Sequence, residues 1–455
     1  MALASSIDTF SVVHALTPAA ATDYKALVCI FLNGGNDGNN MFISLDQYDG
    51  SAGSLVEGYS NVRNTAGLAI AKASLLPVSP VSGGSYGFHP NMPEMQNLFN
   101  QGKLAVLCNN GPLVEPLTRT TYQNGTGKKP LQLFSHSDQV GLFQTAIANT
   151  VSQTGWGGRL ADKTQGLNGS ATFPSNISIA GINLLLSGVD TRQLAVADSN
   201  TTLANVLQLN MSGTTSEQAS RLVSFNELRG FDNEFKLVKA ASDIRSSSLQ
   251  TDNALGSVNP TLTTVFPNTT LGRQLKQVAL LIKASTDPIA GINMKRQIFF
   301  TQLGGFDTHS AEIGGQGALL TQVSQAINAF YAATVELGVQ NSVTTFTMSD
   351  FGRTLQPAGT GVNAVGTDHA WGNHQLIVGG AVLGHTLYGT YPTLVLGGPD
   401  DTDGGANPRG RWIPTTSVEQ YAATLATWYG LSSADLSVVF PLINRFASAN
   451  LGFLG

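Results

Sequence analysis

Charge is what this sequence has least of. Asp, Glu, Lys and Arg together make up 12% of its 455 residues, about half the share of an ordinary globular chain. The net charge is only -5, and no basic run is present. That balance excludes nucleic acid or an anionic membrane as the principal partner. Cysteine is nearly absent as well, with Cys29 and Cys108 alone. Each lies in an apolar run that reads as a buried strand, and neighbouring parallel strands seldom offer disulfide geometry. Two buried free thiols are therefore expected, with nothing near either in sequence to depress a thiol pKa. No apolar stretch reaches the roughly 20 residues of a membrane-spanning helix. Before Lys25 there is neither Lys nor Arg, so the apolar start lacks the basic region of a complete secretory signal. Residues 1–23 read either as a flexible arm or as the remnant of a trimmed export signal.

What the chain does have is glycine and apolar residues: 50 Gly and a hydrophobic share of 42%, with mean hydropathy of +0.04. This fits a soluble globular protein with a sizeable core, its surface covered by Ser, Thr, Asn, Gln and Gly as in many secreted proteins. Continuous apolar runs recur at 26–32, 104–108, 298–303, 343–348 and 376–383. Runs of this kind, without polar alternation, predict parallel strands buried on both faces. Helical patterns fall at 91–101, 133–150, 272–285 and 317–337, the last with Leu319, Leu320, Val323, Ile327, Phe330 and Tyr331 at three- and four-residue steps. Near the C-terminus, Glu419 is placed for a capping box on Thr416, opening a helix with Tyr421, Leu425 and Trp428. Alternating strands and helices predict an α/β fold with a mostly parallel central sheet. The expected organisation is a first part over 24–163, a Ser/Asn/Thr-rich insertion or cap over 164–260 with a helical stretch from 216 to about 246, and a second part over 261–455.

Chemistry concentrates in a few short motifs. Four of the seven histidines lie in Ser135-His136-Ser137-Asp138, Phe306-Asp307-Thr308-His309 and Asp368-His369-Ala370-Trp371-Gly372-Asn373-His374. Two further motifs, Asn36-Asp37-Gly38 and Ser349-Asp350-Phe351-Gly352-Arg353, add carboxylates. Imidazoles and carboxylates are the donors that divalent cations take. In open α/β sheets, ligands bind where the loops at the strand ends converge. Asp37 follows the first apolar run, Asp307 and His309 the third, and Asp350 the fourth, while the Asp368–His374 segment precedes the fifth. On extended backbone Asp307 and His309 point the same way. The adjacent Asp368 and His369 suit one ligand and one orienting partner. Asp37 also fits an Asx turn. His374, at the mouth of an apolar run, also fits a structural histidine. Ser135 or Ser137, beside His136 at a helix start, reads as an N-cap or as a nucleophile using the helix dipole. Arg353 suits an oxyanion or a salt bridge. The acidic loop at 400–405 lacks the spacing of an EF-hand and reads as solvated.

In order along the chain, these segments and 414–422 together resemble the DUF1501 family of bacterial exported proteins, from about residue 24 onward. The family is similar to the alkaline phosphatase/sulfatase superfamily. The resemblance implies an alkaline-phosphatase-like three-layer α/β/α sandwich and a divalent-metal centre (Zn, Ca, Mg or Mn) at the strand ends. It also implies hydrolysis of a phosphate or sulfate ester, and export to the periplasm or the extracellular space. Asp37, Asp307, His309, Asp350, His369 and His374 would form the metal shell, with Ser135, Ser137, His136 and Arg353 as catalytic groups. Phe351 occupies the position of a ligand His in the superfamily's Ser-Asp-His-Gly motif, which implies a reduced centre. The expected substrate is a small anionic or glycan-linked ester. The rival reading is a non-catalytic exported protein that binds a protein or glycan partner on the same fold.

Overall fold

The computed structural model describes residues 20–50, 57–206, 258–286, 292–361 and 364–455, with scattered positions between 216 and 256. Most of the 1–23 arm and of the helical stretch expected from 216 lies outside the described residues. The central sheet is built from β1 (Lys25–Asn33), β2 (Leu104–Gly111), β3 (Asn176–Ser178), β4 (Gln193–Ala195), β5 (Arg296–Gly304), β6 (Val343–Ser349), β7 (Asn373–Gly379), β8 (Leu387–Gly389) and β9 (Thr416–Ser417). Their order is β8-β2-β7-β6-β1-β5-β3-β4, with β9 added on β2. Every pairing is parallel except those of β7, which runs antiparallel to both β2 and β6.

The alternation of side chains along β1 shows how the layers form. Ala26, Val28, Ile30 and Leu32 face one apolar cluster, while Leu27, Cys29 and Phe31 face another. The first is covered by α1 (Pro93–Asn100), α4 (Thr270–Thr286) and α5 (Glu312–Glu336). The second is covered by α2 (His136–Thr145), α3 (Trp156–Thr164) and α6 (Val418–Tyr429). With helices on both faces, the fold is the expected three-layer α/β/α sandwich. Its apolar strands carry no polar alternation because neither face meets water. β1 and β2 are separated by β6 and β7, so Cys29 and Cys108 are buried free thiols out of reach of each other.

Three details differ from the sequence reading. The 164–260 segment does more than cap the sheet, since β3 and β4 from it extend the main sheet beyond β5. The strand expected at 376–383 begins earlier, at Asn373, and ends at Gly379. The capping box of α6 sits one residue later than expected: Ser417 and Gln420 cap each other, and Glu419 turns inward to full burial. Among the described residues, no helix is long and apolar enough to cross a membrane.

Candidate metal centre

β1, β5 and β6 end on one edge of the sheet, and each hands its next residues to a loop. Because β7 runs the opposite way, the segment that enters it lies on that same edge. The antiparallel strand therefore brings 368–374 to the carboxyl ends of its parallel neighbours.

Arg353 ties these loops together. It is fully buried, and its guanidinium donates to the carbonyls of Gly34, Gly35 (2.8 Å), Phe306 (3.1 Å) and Thr367 (3.2 Å). It also donates to Asp307 Oδ1 at 2.5 Å. Close loop contact depends on glycine at Gly34, whose φ is +117° and where a Cβ would stand 2.4 Å from the Asp307 nitrogen.

Four side chains converge there. His136 Nε2 and His309 Nε2 each lie 3.0 Å from His369 Nε2. Asp307 Oδ1 is 3.3 Å from His136 Nε2, 3.0 Å from His309 Nε2 and 3.4 Å from His369 Nε2. Ligand atoms of His136, Asp307 and His369 all fall within 4.8 Å of one another.

The far side of each ring is held separately. His136 Nδ1 meets Asp350 Oδ2 at 2.7 Å, His369 Nδ1 meets the Phe134 carbonyl at 2.8 Å, and His309 Nδ1 faces Asp368 Oδ1 at 3.4 Å. Asp350 is fixed in turn by the Gly34 N–H at 3.0 Å, and Asp368 is held by Arg409. With Nδ1–H donated outward, each Nε2 presents a lone pair to the centre. Facing lone pairs 3.0 Å apart repel unless a proton or a cation lies between them.

Electrostatics favour the metal-ready form. Burial works against ionisation of Asp307, but the hydrogen bond and charge of Arg353 outweigh it and hold the carboxyl at about 2. Burial depresses the His369 imidazole, outweighing its bond to the Phe134 carbonyl, and the charges of Arg353 and the two other rings add to this. The site is open on one side, with the Asp307 and His309 side chains half-exposed.

Several residues read from the sequence take other positions. Asp37 is N-cap of the turn Gly38–Met41 and forms a buried pair with Arg63. Burial opposes its charge, yet Arg63 keeps its pKa below the usual range. Burial and the neighbouring Asp37 push the Glu312 carboxyl well above the usual carboxylate range. His374 is buried and stacked on Tyr391, its Nδ1 accepting from the Asn109 N–H, and burial takes its pKa to about 4. The structure brings neither Asp37 nor His374 to the group of His136, Asp307 and His369. Asp350 stands behind His136 as its orienting partner. Arg353 has no free face to offer an oxyanion. Ser135 is the N-cap of α2 and gives its hydroxyl to Asp138 Oδ2 at 2.6 Å, with Ser137 exposed beside it. His136, read as part of the nucleophile motif, is in the metal-ready group. Phe351 packs against the rings of His136 and His369, with centroids at 4.6 and 4.7 Å.

Sequence reasoning missed the role of Phe134, whose carbonyl is aimed by a left-handed backbone (φ 71°) that no local motif announces. It also missed Arg409, forty-one residues from Asp368. The orienting carboxylate at 368 was visible, but it serves His309 rather than its neighbour His369.

The family described as "Protein of unknown function (DUF1501)" matches residues 24–398. No curated protein matches the chain significantly. Similar solved structures include a sulfatase from Pseudoalteromonas sp., 9% identical, with 95% of this chain and 70% of that one covered at a TM-score of 0.32. The C-terminal periplasmic domain of EcEptC from Escherichia coli, in complex with Zn, is 9% identical, with 80% and 76% covered at 0.30. A TAB5 alkaline phosphatase mutant with Mg bound is also 9% identical, with 78% and 91% covered at 0.25. At these scores no residue role passes from one chain to another.

Proposed function

The chain belongs to the DUF1501 family, and we propose that it is a metal-dependent hydrolase of a phosphate or sulfate ester, acting outside the cytoplasm. One divalent cation would be held by His136, His369 and Asp307, with His309 beside them. The observation that carries this reading is the convergence of two outward-anchored imidazoles, His136 and His369, and one Asp307 oxygen on a single point. Separations of 3.0–3.4 Å among these three atoms suit donors bonded at roughly 2.0–2.2 Å to a tetrahedral ion with its fourth position open. Two nitrogens and one oxygen favour a zinc-type cation over Ca or Mg, which take oxygen ligands. A cation bound here supplies Lewis acidity and a water ionised near neutral pH.

The chain's own groups do the rest. Asp350, Asp368 and the Phe134 carbonyl orient the rings. Arg353 keeps Asp307 ionised and joins the loops around it. Phe351 walls off the inner side, leaving the half-exposed face for substrate and water. Beside it lies a cleft of about 720 Å³ whose wall includes Gln356, Asp368, Asn407 and Arg409, within the usual range of small-ligand sites. Since Asp368 also touches His309, the cleft abuts the centre. The low surface charge supports a role outside the cytoplasm.

The test is metal analysis of the purified full chain, followed by assays on p-nitrophenyl phosphate and p-nitrophenyl sulfate. One equivalent of metal is expected, lost together with hydrolysis in His136→Ala and His369→Ala. A chain that binds no divalent metal, and whose stability chelator leaves unchanged, would sink the proposal.

A further inference from the structure

One buried acid close to the centre takes no part in the metal group. Glu312 opens α5, just after the His309 loop, and its side chain turns inward to full burial. Its Oε2 accepts from the Thr367 hydroxyl at 2.6 Å, and its N–H donates to the Val365 carbonyl at 3.2 Å. Thr367 is held on both sides of its backbone as well. Its N–H donates to the Thr308 carbonyl at 3.1 Å, and its carbonyl accepts from Arg353 at 3.2 Å. Glu312 thus grips, by side chain and by main chain, the stretch that leads into Asp368 and His369.

The same carboxyl meets Asp37, the partner of Arg63. Arg63 donates to the carbonyls of Leu355 (3.0 Å) and Thr354 (2.9 Å), and the Thr354 hydroxyl accepts from the Asp368 N–H at 3.2 Å. The buried cluster therefore reaches the 367–369 segment by two routes. Glu312 Oε1 has no donor to accept from, which suits a carboxyl that keeps its own proton there. In that form it donates to Asp37 while accepting from Thr367. Because a buried polar group without such bonds is costly, the side chain is confined to one position and confines Thr367 with it.

We infer that Glu312 is a positioning residue of the metal centre: acting through the Thr367 hydroxyl, it fixes the segment that presents His369. This rests on the metal-dependent reading above and deepens it. The Phe134 carbonyl sets the rotation of the His369 ring, whereas Glu312 sets where the backbone beneath that ring stands.

The test measures Co²⁺ affinity of the full chain, by competition with a chromophoric chelator, together with the cobalt visible spectrum. Thr367→Val, which exchanges only the hydroxyl for a methyl, and Glu312→Ala should each weaken binding roughly tenfold, the lower end for an outer partner, and shift the spectrum. The double variant should lose no more than either single one, because both break the same link. Thr367→Ser and Glu312→Gln keep that link and should stay within about twofold of wild type. Ser324→Ala is the control. Its hydroxyl also donates to a carboxylate at 2.6 Å, that of Glu94, but roughly 18 Å further along α5. It should lower stability in urea and move neither affinity nor spectrum. Affinity and spectrum unchanged in Thr367→Val, or altered as much by Glu312→Gln or Ser324→Ala, overturn the inference while wild-type cobalt binding keeps the metal centre. Should Glu312→Ala not fold, Thr367→Val with its Ser counterpart decides. A wild-type chain that takes up no cobalt overturns the metal centre by itself. Positioning is then read in the metal-free, histidine-labelled chain from the ring NMR signals of His369, assigned with His369→Ala. These should move in Thr367→Val and stay in Ser324→Ala; signals unmoved in both overturn it.

Discussion

Asp350 shows how much a carboxylate's role depends on its surroundings. It is wholly buried, with one oxygen on the Gly34 N–H and the other on His136 Nδ1, so it cannot also reach the centre as a ligand. Asp350→Asn keeps the shape but weakens the hold on the imidazole. The expected result is a 10- to 100-fold lower metal affinity, the usual effect of removing an outer partner, with the fold retained in circular dichroism. Competition against a chromophoric chelator measures it. A second buried carboxylate, Glu419, has a different consequence. Both of its oxygens are buried without a hydrogen-bond partner, and burial, against Arg159 and Arg445, raises its pKa to about 8. A carboxyl raised in the folded state adds stability below the unfolded value near 4.3 and loses it as pH rises through the folded value. Glu419→Gln should therefore gain on wild type by a few kcal/mol between about pH 5 and pH 8. Urea unfolding at the two pH values compares them; equal slopes for both proteins would contradict it.

At the scale of elements, the site depends on loops that nearly touch. Gly366 is the clearest case: a Cβ there would lie 2.2 Å from the His309 carbonyl carbon and 2.3 Å from the Thr308 oxygen. The Thr367 N–H bonds that same Thr308 oxygen at 3.1 Å. Gly366→Ala must push the 308–309 backbone away and carry His309 with it. A stability loss of about 1–3 kcal/mol is expected, with metal affinity falling more than in a comparable Gly→Ala change at exposed Gly314, where nothing lies within 4 Å. Isothermal titration of both variants with Zn²⁺ distinguishes them. The direction of β7 belongs to this scale too. From the apolar pattern alone, 368–374 stood at the wrong end of a parallel strand; reversal of that strand resolves it.

For the whole molecule, the ligands span positions 136 to 369 and come from three separate segments, the start of α2 and two loops. A cation holding them would bind the native state and not the unfolded chain, which adds stability by mass action. With free metal at about 1,000 times Kd, the gain is roughly 4 kcal/mol. Chelation should therefore lower the thermal midpoint, and Zn²⁺ should restore it in wild type but not in His369→Ala. Scanning calorimetry records both, and a midpoint indifferent to chelator and zinc would count against the centre.

The sequence by itself determined the layers and most of their elements. Short runs apolar on both faces, bounded by glycine-rich turns, read as buried strands, and three- and four-residue periodicity reads as helices that bury one face. It also marked the residue types able to hold a cation, because carboxylates and imidazoles are so sparse here that their clustering shows. Which of them meet was decided only in three dimensions. Asp37 looks no less like a ligand than Asp307 in a local window, yet Arg63 claims the first and Arg353 aims the second. His374 and His369 lie five residues apart, but one enters the sheet and the other stays on its rim. Partners hundreds of residues away in sequence set these outcomes, because hydrogen bonds and charges act over a few ångströms of space and carry no trace in the local order of the chain.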